Sequence, residues 1–134
     1  MLLETYRITV NAWLAMAGLL LVQLLVADVL GIRARHAPGS PVPYDPANPL
    51  FRAVRALGNS NESIAIFVLL SLACVGRGAD PGATGAAAWS FAGFRAGHAL
   101  CYWTGLGLAR SLCFAGALLS LLALLGVALW TAGA

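Results

Sequence analysis

The stretch R-A-V-R-A-L-G-N-S-N-E, residues 52–62, decides the fold, because the apolar run 64–75 follows it almost directly. At 3.6 residues per turn, four of its polar positions fall within an arc of about 80° on a helix. These are Arg52, Arg55, Asn59 and Glu62. A charge facing lipid costs roughly 2.5–3.5 kcal/mol near a helix centre. The polar stripe therefore predicts an interior, a cavity or a partner of opposite charge.

Two simpler interpretations of this stripe stay open from its spacing alone. Arg52 and Arg55 can be the basic flank of a membrane helix. Asn59 and Glu62 can be hydrogen-bonding contacts between helices. If the stripe is a site, we expect Glu62 to be held as a carboxylate by Arg52 or Arg55, in its own subunit or in the next one.

The composition is that of an integral membrane protein. The chain has 134 residues, 60% of them hydrophobic and 10% charged, with a mean hydropathy of +0.85. These values predict one all-α membrane domain, residues 1–134, built as a bundle of four membrane-spanning helices. No basic face interleaved with aromatic residues exists, which argues against nucleic acid as a partner. The three cysteines lie in apolar segments, and their spacing predicts neither a disulfide framework nor a metal site.

Four apolar segments are predicted as spans, namely residues 8–32, 53–75, 86–108 and 112–132. The first is too long for a signal-peptide core and lacks a clear cleavage site, so we interpret it as a span, with a cleaved signal peptide as the alternative. A proline-rich loop over residues 33–50 and a short turn over 76–85 separate the first three spans. Arg110 and Ser111 predict a second short turn, before the fourth span.

Asp28 is a carboxylate inside the first predicted span. It shares a helical face with Arg35, so we expect it to pair with that arginine or with one on a neighbouring helix. His36 is predicted to be a solvated loop residue. In the last span, Gly116 and Ser120 predict a packing seam of small residues.

The third span also carries ionisable side chains. Arg95, His98 and Tyr102 stand at i, i+3 and i+7 and therefore share one helical face. Gly93 and Gly97 form a G-x-x-x-G pair that allows another helix to approach closely. The simpler interpretation of His98, as a hydrogen-bonded core histidine, stays open.

Arginine distribution predicts the orientation in the membrane. With alternating spans, two arginines lie on one side and five on the other, the five being Arg33, Arg35, Arg52, Arg55 and Arg110. The side richer in arginine is expected to be cytoplasmic. We therefore predict a multi-pass protein of the inner (plasma) membrane with both termini outside.

The second span resembles a known family, the membrane-associated proteins in eicosanoid and glutathione metabolism, or MAPEG, and the chain looks like a bacterial-type member. The family signature R-x-x-R-A-x-x-N-x-x-E is matched by Arg52, Arg55, Ala56, Asn59 and Glu62, with every spacing kept. Some glutathione-using members also show the R-x-x-H-x-x-x-Y pattern of the third span. The four short helices and the basic residues that close the first span extend the resemblance over nearly the whole chain.

The resemblance implies a homotrimer in the membrane lipid that holds glutathione as cosubstrate between neighbouring subunits. Glutathione would be bound by residues of the second and third spans, namely Arg52, Arg55, Asn59, Glu62, Arg95, His98 and Tyr102. Arg110 resembles the arginine that stabilises the glutathione thiolate, so it is the expected catalytic residue. A nearby guanidinium favours the charged form of a thiol, which agrees with that role.

These features predict a glutathione-dependent transferase or peroxidase that attacks a hydrophobic electrophile with the thiolate. The alternative is a non-catalytic protein that binds lipid or serves as an accessory or scaffold subunit of a larger membrane complex. Phe114 supports the alternative, because several enzymatic members have a tyrosine one turn past the arginine.

Overall fold

The computed structural model describes residues 1–131, and every regular element in them is a helix. A short α1 (Leu2–Thr5) precedes four long helices. These are α2 (Arg7–Arg33), α3 (Pro49–Gly76), α4 (Pro81–Thr104) and α5 (Gly107–Trp130). α4 packs against all three other long helices, and most extensively against α5. The predicted all-α architecture is therefore confirmed, with α4 at the centre of the packing.

Three of the long helices are apolar enough to cross a bilayer within the described part of the chain. They are α2, α3 and α5, with mean hydropathies of 2.2, 1.4 and 2.5 in their most apolar windows. α4 is not among them, because glycine and alanine fill much of it and it carries Arg95 and His98. Its 24 residues still reach about 36 Å, more than a hydrocarbon core of about 30 Å.

Two helices begin four to five residues earlier than predicted. α3 begins at Pro49, where Asn48 accepts a hydrogen bond from the backbone N–H of Leu50 at 2.9 Å. α4 begins at Pro81, where Asp80 accepts from the N–H of Ala83 at 2.6 Å. An Asn or Asp cap followed by proline at the first helical position is a favourable start signal. The sequence analysis assigned both pairs to loops, so its approximate spans from 53 and 86 begin later than these helices do.

The predicted turn at Arg110 and Ser111 was also wrong. The chain reverses at Gly105, whose φ of +78° is left-handed, and the N–H of Leu106 donates to the carbonyl of Cys101 at 2.9 Å. Glycine adopts this conformation without steric cost, so it ends α4 at that point. α5 accordingly begins at Gly107, and Arg110 lies in its first turn.

Aromatic stacking and small residues hold the bundle together. The rings of Phe67 on α3 and Phe91 on α4 stack with centroids 4.5 Å apart, and both side chains are fully buried. A Cβ on Gly116 would stand 2.5 Å from the ring of Phe94, which confirms close packing at the glycine of the predicted seam. A Cβ on Gly97 would lie 3.0 Å from the Cys113 sulfur. Gly93, the other glycine of the G-x-x-x-G pair, has no such neighbour within 4 Å.

Asp28 does not form the predicted ion pair. Among residues 1–131, no Arg side chain approaches its carboxylate within 4.0 Å. α2 ends at Arg33 and Arg35 has a φ of +52°, so the shared helical face does not extend to Arg35. His36 lies in the loop after α2, as predicted. It is half-buried, and its Nε2 lies 2.9 Å from the Ser40 carbonyl oxygen.

Candidate functional site

Three arginines meet at the end of the bundle where α3 and α5 begin and α4 ends. Arg52, Arg55 and Arg110 line a cleft of about 260 Å³ together with Tyr44 and Tyr102. None of the described carboxylates lines this space, which we call the arginine cleft. A cleft lined by charges of one sign concentrates ions of the other sign. Its electrostatics therefore favour an anionic ligand.

Arg52 is positioned by backbone contacts. Its Nη2 donates to the Ala47 carbonyl at 3.2 Å, and its Nη1 would lie 2.8 Å from a Cβ on Gly105. The guanidinium can occupy this position because glycine has no side chain at residue 105. Nε of Arg52 is buried and lacks a hydrogen-bond partner among the described residues, while Arg55 is exposed.

Arg110 lies over an aromatic ring. The centre of its guanidinium is 4.6 Å from the Tyr102 ring centroid, and the side chain is half-buried. This is a cation–π arrangement, which holds the charge without neutralising it. The Tyr102 ring in turn meets the His98 ring edge-on at 5.1 Å. The last turn of α4 therefore orients the first turn of α5.

A second space, the polar pocket, adjoins the arginine cleft. It has a volume of about 200 Å³, shares Tyr102 and Arg110 with the cleft, and is also lined by Asn59, His98, Ser111 and Phe114. His98 is only 2% exposed. Its Nδ1 is buried and has no hydrogen-bond partner among the described residues. A buried polar atom of this kind is costly unless something binds it, so it marks the pocket as a place for a ligand group or water.

Arg95 joins two helices. It is 2% exposed, and it donates to the Asn59 side-chain oxygen at 2.8 Å, the Asn59 carbonyl at 2.6 Å and the Ser63 hydroxyl at 3.0 Å. All three guanidinium nitrogens are thereby engaged with α3. Asn59 therefore forms the contact between helices that the simpler interpretation predicts. A contact between Arg95 and a ligand stays a prediction.

Glu62 lies apart from the arginine cleft. It is exposed and borders a mostly apolar cavity of about 190 Å³ with Arg95, Phe91 and Phe114. Among residues 1–131, no arginine lies within ion-pair distance of its carboxylate. The expected ion pair is therefore not formed within one chain, and pairing with a neighbouring subunit stays a prediction.

Several residues of these sites were not predicted from the sequence. Tyr44 reaches the arginine cleft from the loop before α3, and its ring meets Phe51 edge-on at 5.1 Å. Ser63 follows the family signature directly, and Ser111 follows Arg110. Their adjacency to predicted residues was the available signal for the two serines. For Tyr44 the sequence offered none, because its position depends on how the loop folds back.

Comparison with known proteins gives a match at the level of the family. The family model described as MAPEG family matches residues 10–130. This range contains the whole of α3, α4 and α5, and hence every residue of the arginine cleft and the polar pocket. No curated protein and no solved structure matches the chain.

Proposed function

Because the chain belongs to the MAPEG family, we propose that this integral membrane protein is a glutathione-dependent transferase or peroxidase acting on a hydrophobic electrophile. The single observation that carries the proposal is the convergence of Arg52, Arg55 and Arg110 on one cleft. Three guanidinium groups without a carboxylate among them suit a small ligand with several negative charges.

Glutathione fits this chemistry. It offers two carboxylates, an ammonium group and a thiol. Arg52 and Arg55 bind the carboxylates through charge-assisted hydrogen bonds, which can be bidentate for a guanidinium. In the polar pocket, the orphan Nδ1 of His98 is available to a peptide group of the ligand. The ammonium of glutathione shares a carbon with one of its carboxylates and so must lie at the cleft. Within one chain Glu62 lies apart from the cleft, so Glu62 of a neighbouring subunit would take the ammonium.

Arg110 supplies the chemical step. Its guanidinium is half-buried over Tyr102 and is shared by the arginine cleft and the polar pocket. A cation beside the thiol stabilises the thiolate and lowers the thiol pKa. The sulfur then attacks an electrophilic carbon and displaces its leaving group. With a peroxide it attacks an oxygen and breaks the O–O bond, the departing alkoxide takes a proton and leaves as an alcohol, and a second glutathione converts the resulting sulfenic acid to the disulfide and water.

The hydrophobic substrate would arrive from the bilayer. Phe114 lines both the polar pocket and the apolar cavity, so the two spaces meet at its ring. An apolar group in the cavity would thus lie beside the polar pocket. This arrangement supports thiolate attack at the boundary between the two spaces.

The exposed charges on α3 support a homotrimer. Arg55 and Glu62 are exposed in the single chain. Uncompensated charges facing lipid are costly, and a neighbouring copy of α3 can cover them. We place the arginine cleft on the cytoplasmic side of the inner membrane and both termini outside, because the side richer in arginine is normally cytoplasmic.

A second candidate function is non-catalytic binding of lipid, or a role as an accessory or scaffold subunit of a larger membrane complex. The observation that favours it is Phe114, which offers a phenyl ring and no hydroxyl where the polar pocket meets the apolar cavity. Under this alternative, glutathione either does not bind or binds as the thiol.

Ultraviolet absorption of the thiolate distinguishes these functions. The full chain in mild detergent is titrated with glutathione, and binding is measured in parallel by calorimetry. We expect binding with thiolate formation in the wild type, and roughly tenfold weaker binding in Arg52→Ala and Arg55→Ala, because each loses charged hydrogen bonds.

The matched control is Arg77→Ala, which removes an exposed arginine at the opposite end of α3. It should bind as the wild type does. Binding without thiolate would support the non-catalytic function. An absence of glutathione binding to a well-folded protein would contradict both glutathione-dependent activities.

A further inference from the structure

A cavity of about 530 Å³ lies between α2 and α3, away from the arginine cleft. Its walls are residues 24–32 of α2 and 50–57 of α3, and the loop 36–42 folds over it. None of its lining residues contributes to the arginine cleft or the polar pocket. Its volume lies within the range of about 300–1,000 Å³ that is usual for small-molecule sites. We call it the α2–α3 cavity.

The lining of this cavity is apolar apart from a few groups. Leu24, Ile32, Val54 and Leu57 contribute apolar side chains, and Asp28 is the single Asp, Glu, Lys or Arg among the lining residues. Arg33 and Arg35, the nearest arginines along the chain, do not line it. The cavity therefore combines the Asp28 carboxylate, the His36 ring and Ser40 with an otherwise apolar wall.

Asp28 is exposed in the single chain, and the rest of the described chain does not account for it. Its carboxylate has no ion pair, and no hydrogen bond to its side chain is formed within residues 1–131. It stands in a helix that is long and apolar enough to span a membrane. Carboxylates in such positions are costly, and they ordinarily pair or mark a binding site.

We propose that the α2–α3 cavity binds a single-chain lipophilic amine, with its ammonium group on Asp28 and its hydrocarbon chain along the apolar walls. An ammonium donates charge-assisted hydrogen bonds to a carboxylate, and these are stronger than bonds between neutral groups. The hydrocarbon chain removes apolar surface from water.

Phospholipids fit this cavity less well. Their phosphate would bring a negative charge close to Asp28, and no arginine lines the cavity to compensate for it. A fatty acid also fits less well, because its carboxylate would lie close to the Asp28 carboxylate. A long-chain alcohol has the same apolar part but lacks the charge, which makes it the matched comparison ligand.

The test uses radiolabelled dodecylamine and dodecanol with the full chain in phosphatidylcholine nanodiscs. Binding to empty nanodiscs is subtracted, which removes simple partition into lipid. We expect the wild type to bind the amine at least about tenfold more tightly than the alcohol, the effect of a hydrogen bond to a charged group. Asp28→Asn should lower amine affinity by a similar factor and abolish the preference.

Asp45→Asn is the control for loss of a carboxylate, because Asp45 lies in the loop before α3 and does not line the cavity. It should bind the amine as the wild type does. Val54→Trp should block the cavity and weaken binding of both ligands. Val68→Trp is its control, because Val68 has nearly the same exposure, 38% against 37%, on the same helix.

Equal affinity for amine and alcohol in the wild type would overturn the proposal. So would an unchanged amine affinity in Asp28→Asn that retains wild-type helicity and elution volume. If Asp28→Asn does not fold, the proposal is tested by the preference of the wild type for amine over alcohol and by the comparison of Val54→Trp with Val68→Trp. The proposal does not depend on glutathione, so a failure of the amine test leaves the proposed function unaffected.

Discussion

Replacing Gly105 with alanine should damage both the helix connection and the arginine cleft. Gly105 has a φ of +78°, a conformation that costs an alanine roughly 1–2 kcal/mol. The new Cβ would also stand 2.8 Å from Nη1 of Arg52, closer than such contacts permit. Arg52 must move, which weakens or breaks its 3.2 Å hydrogen bond to the Ala47 carbonyl.

These effects add to a free-energy cost of roughly 1.5–3.5 kcal/mol if the hydrogen bond contributes about 0.5–1.5 kcal/mol. Thermal unfolding in detergent measures the loss of stability, and calorimetry with glutathione measures the loss of affinity. In an Arg52→Ala background, Gly105→Ala should cost only the backbone strain of roughly 1–2 kcal/mol. The difference between the two backgrounds reports the Arg52 contact.

Gly107→Ala is the control, because a Cβ there has nothing within 4 Å and Gly107 has no positive φ. It should leave glutathione affinity unchanged and leave stability unchanged or raised by about 0.4–1 kcal/mol. If Gly105→Ala and Gly107→Ala behave alike in stability and in affinity, the geometry deduced for Arg52 is wrong.

Three further substitutions test the proposed catalytic residue Arg110, the interhelical hydrogen bonds of Arg95 and the packing at Gly116. Arg110→Ala should keep most glutathione binding, but it should raise the pKa of the bound thiol and lower turnover roughly 100- to 1,000-fold. An unchanged thiol titration would exclude Arg110 from the mechanism. Arg95→Ala should lower the unfolding temperature, because each stranded partner on α3 costs about 1–3 kcal/mol, and Arg95→Lys should restore only part of it. Gly116→Ala should lower the free energy of unfolding by roughly 1–3 kcal/mol, because its Cβ would overlap the Phe94 ring. Gly126→Ala is the control, because a Cβ there has nothing within 4 Å. Equal unfolding temperatures of the two variants would contradict close packing at Gly116.

Local periodicity was enough to predict the elements of the fold. The apolar runs and the helical spacing of Arg52 and Glu62 predict α3, and the matching signature identifies the family that the comparison confirms. Helix ends were less predictable, because they depend on single caps. Asn48 and Asp80 start helices that the apolar pattern alone begins later, and Gly105 rather than Arg110 is the break before α5.

By itself, the sequence determined that the chain is an all-helical membrane protein and that polar side chains share faces of α3 and α4, since both follow from composition and helical period. Only the tertiary structure decided which groups meet. Arg95 lies on the predicted face yet donates to Asn59 and Ser63, and Tyr44 enters the arginine cleft from a loop. Asp28 does not share a helical face with Arg35 because α2 ends before Arg35. Contacts between distant segments depend on how helices cross and where loops return, and neither is set by the period of one helix.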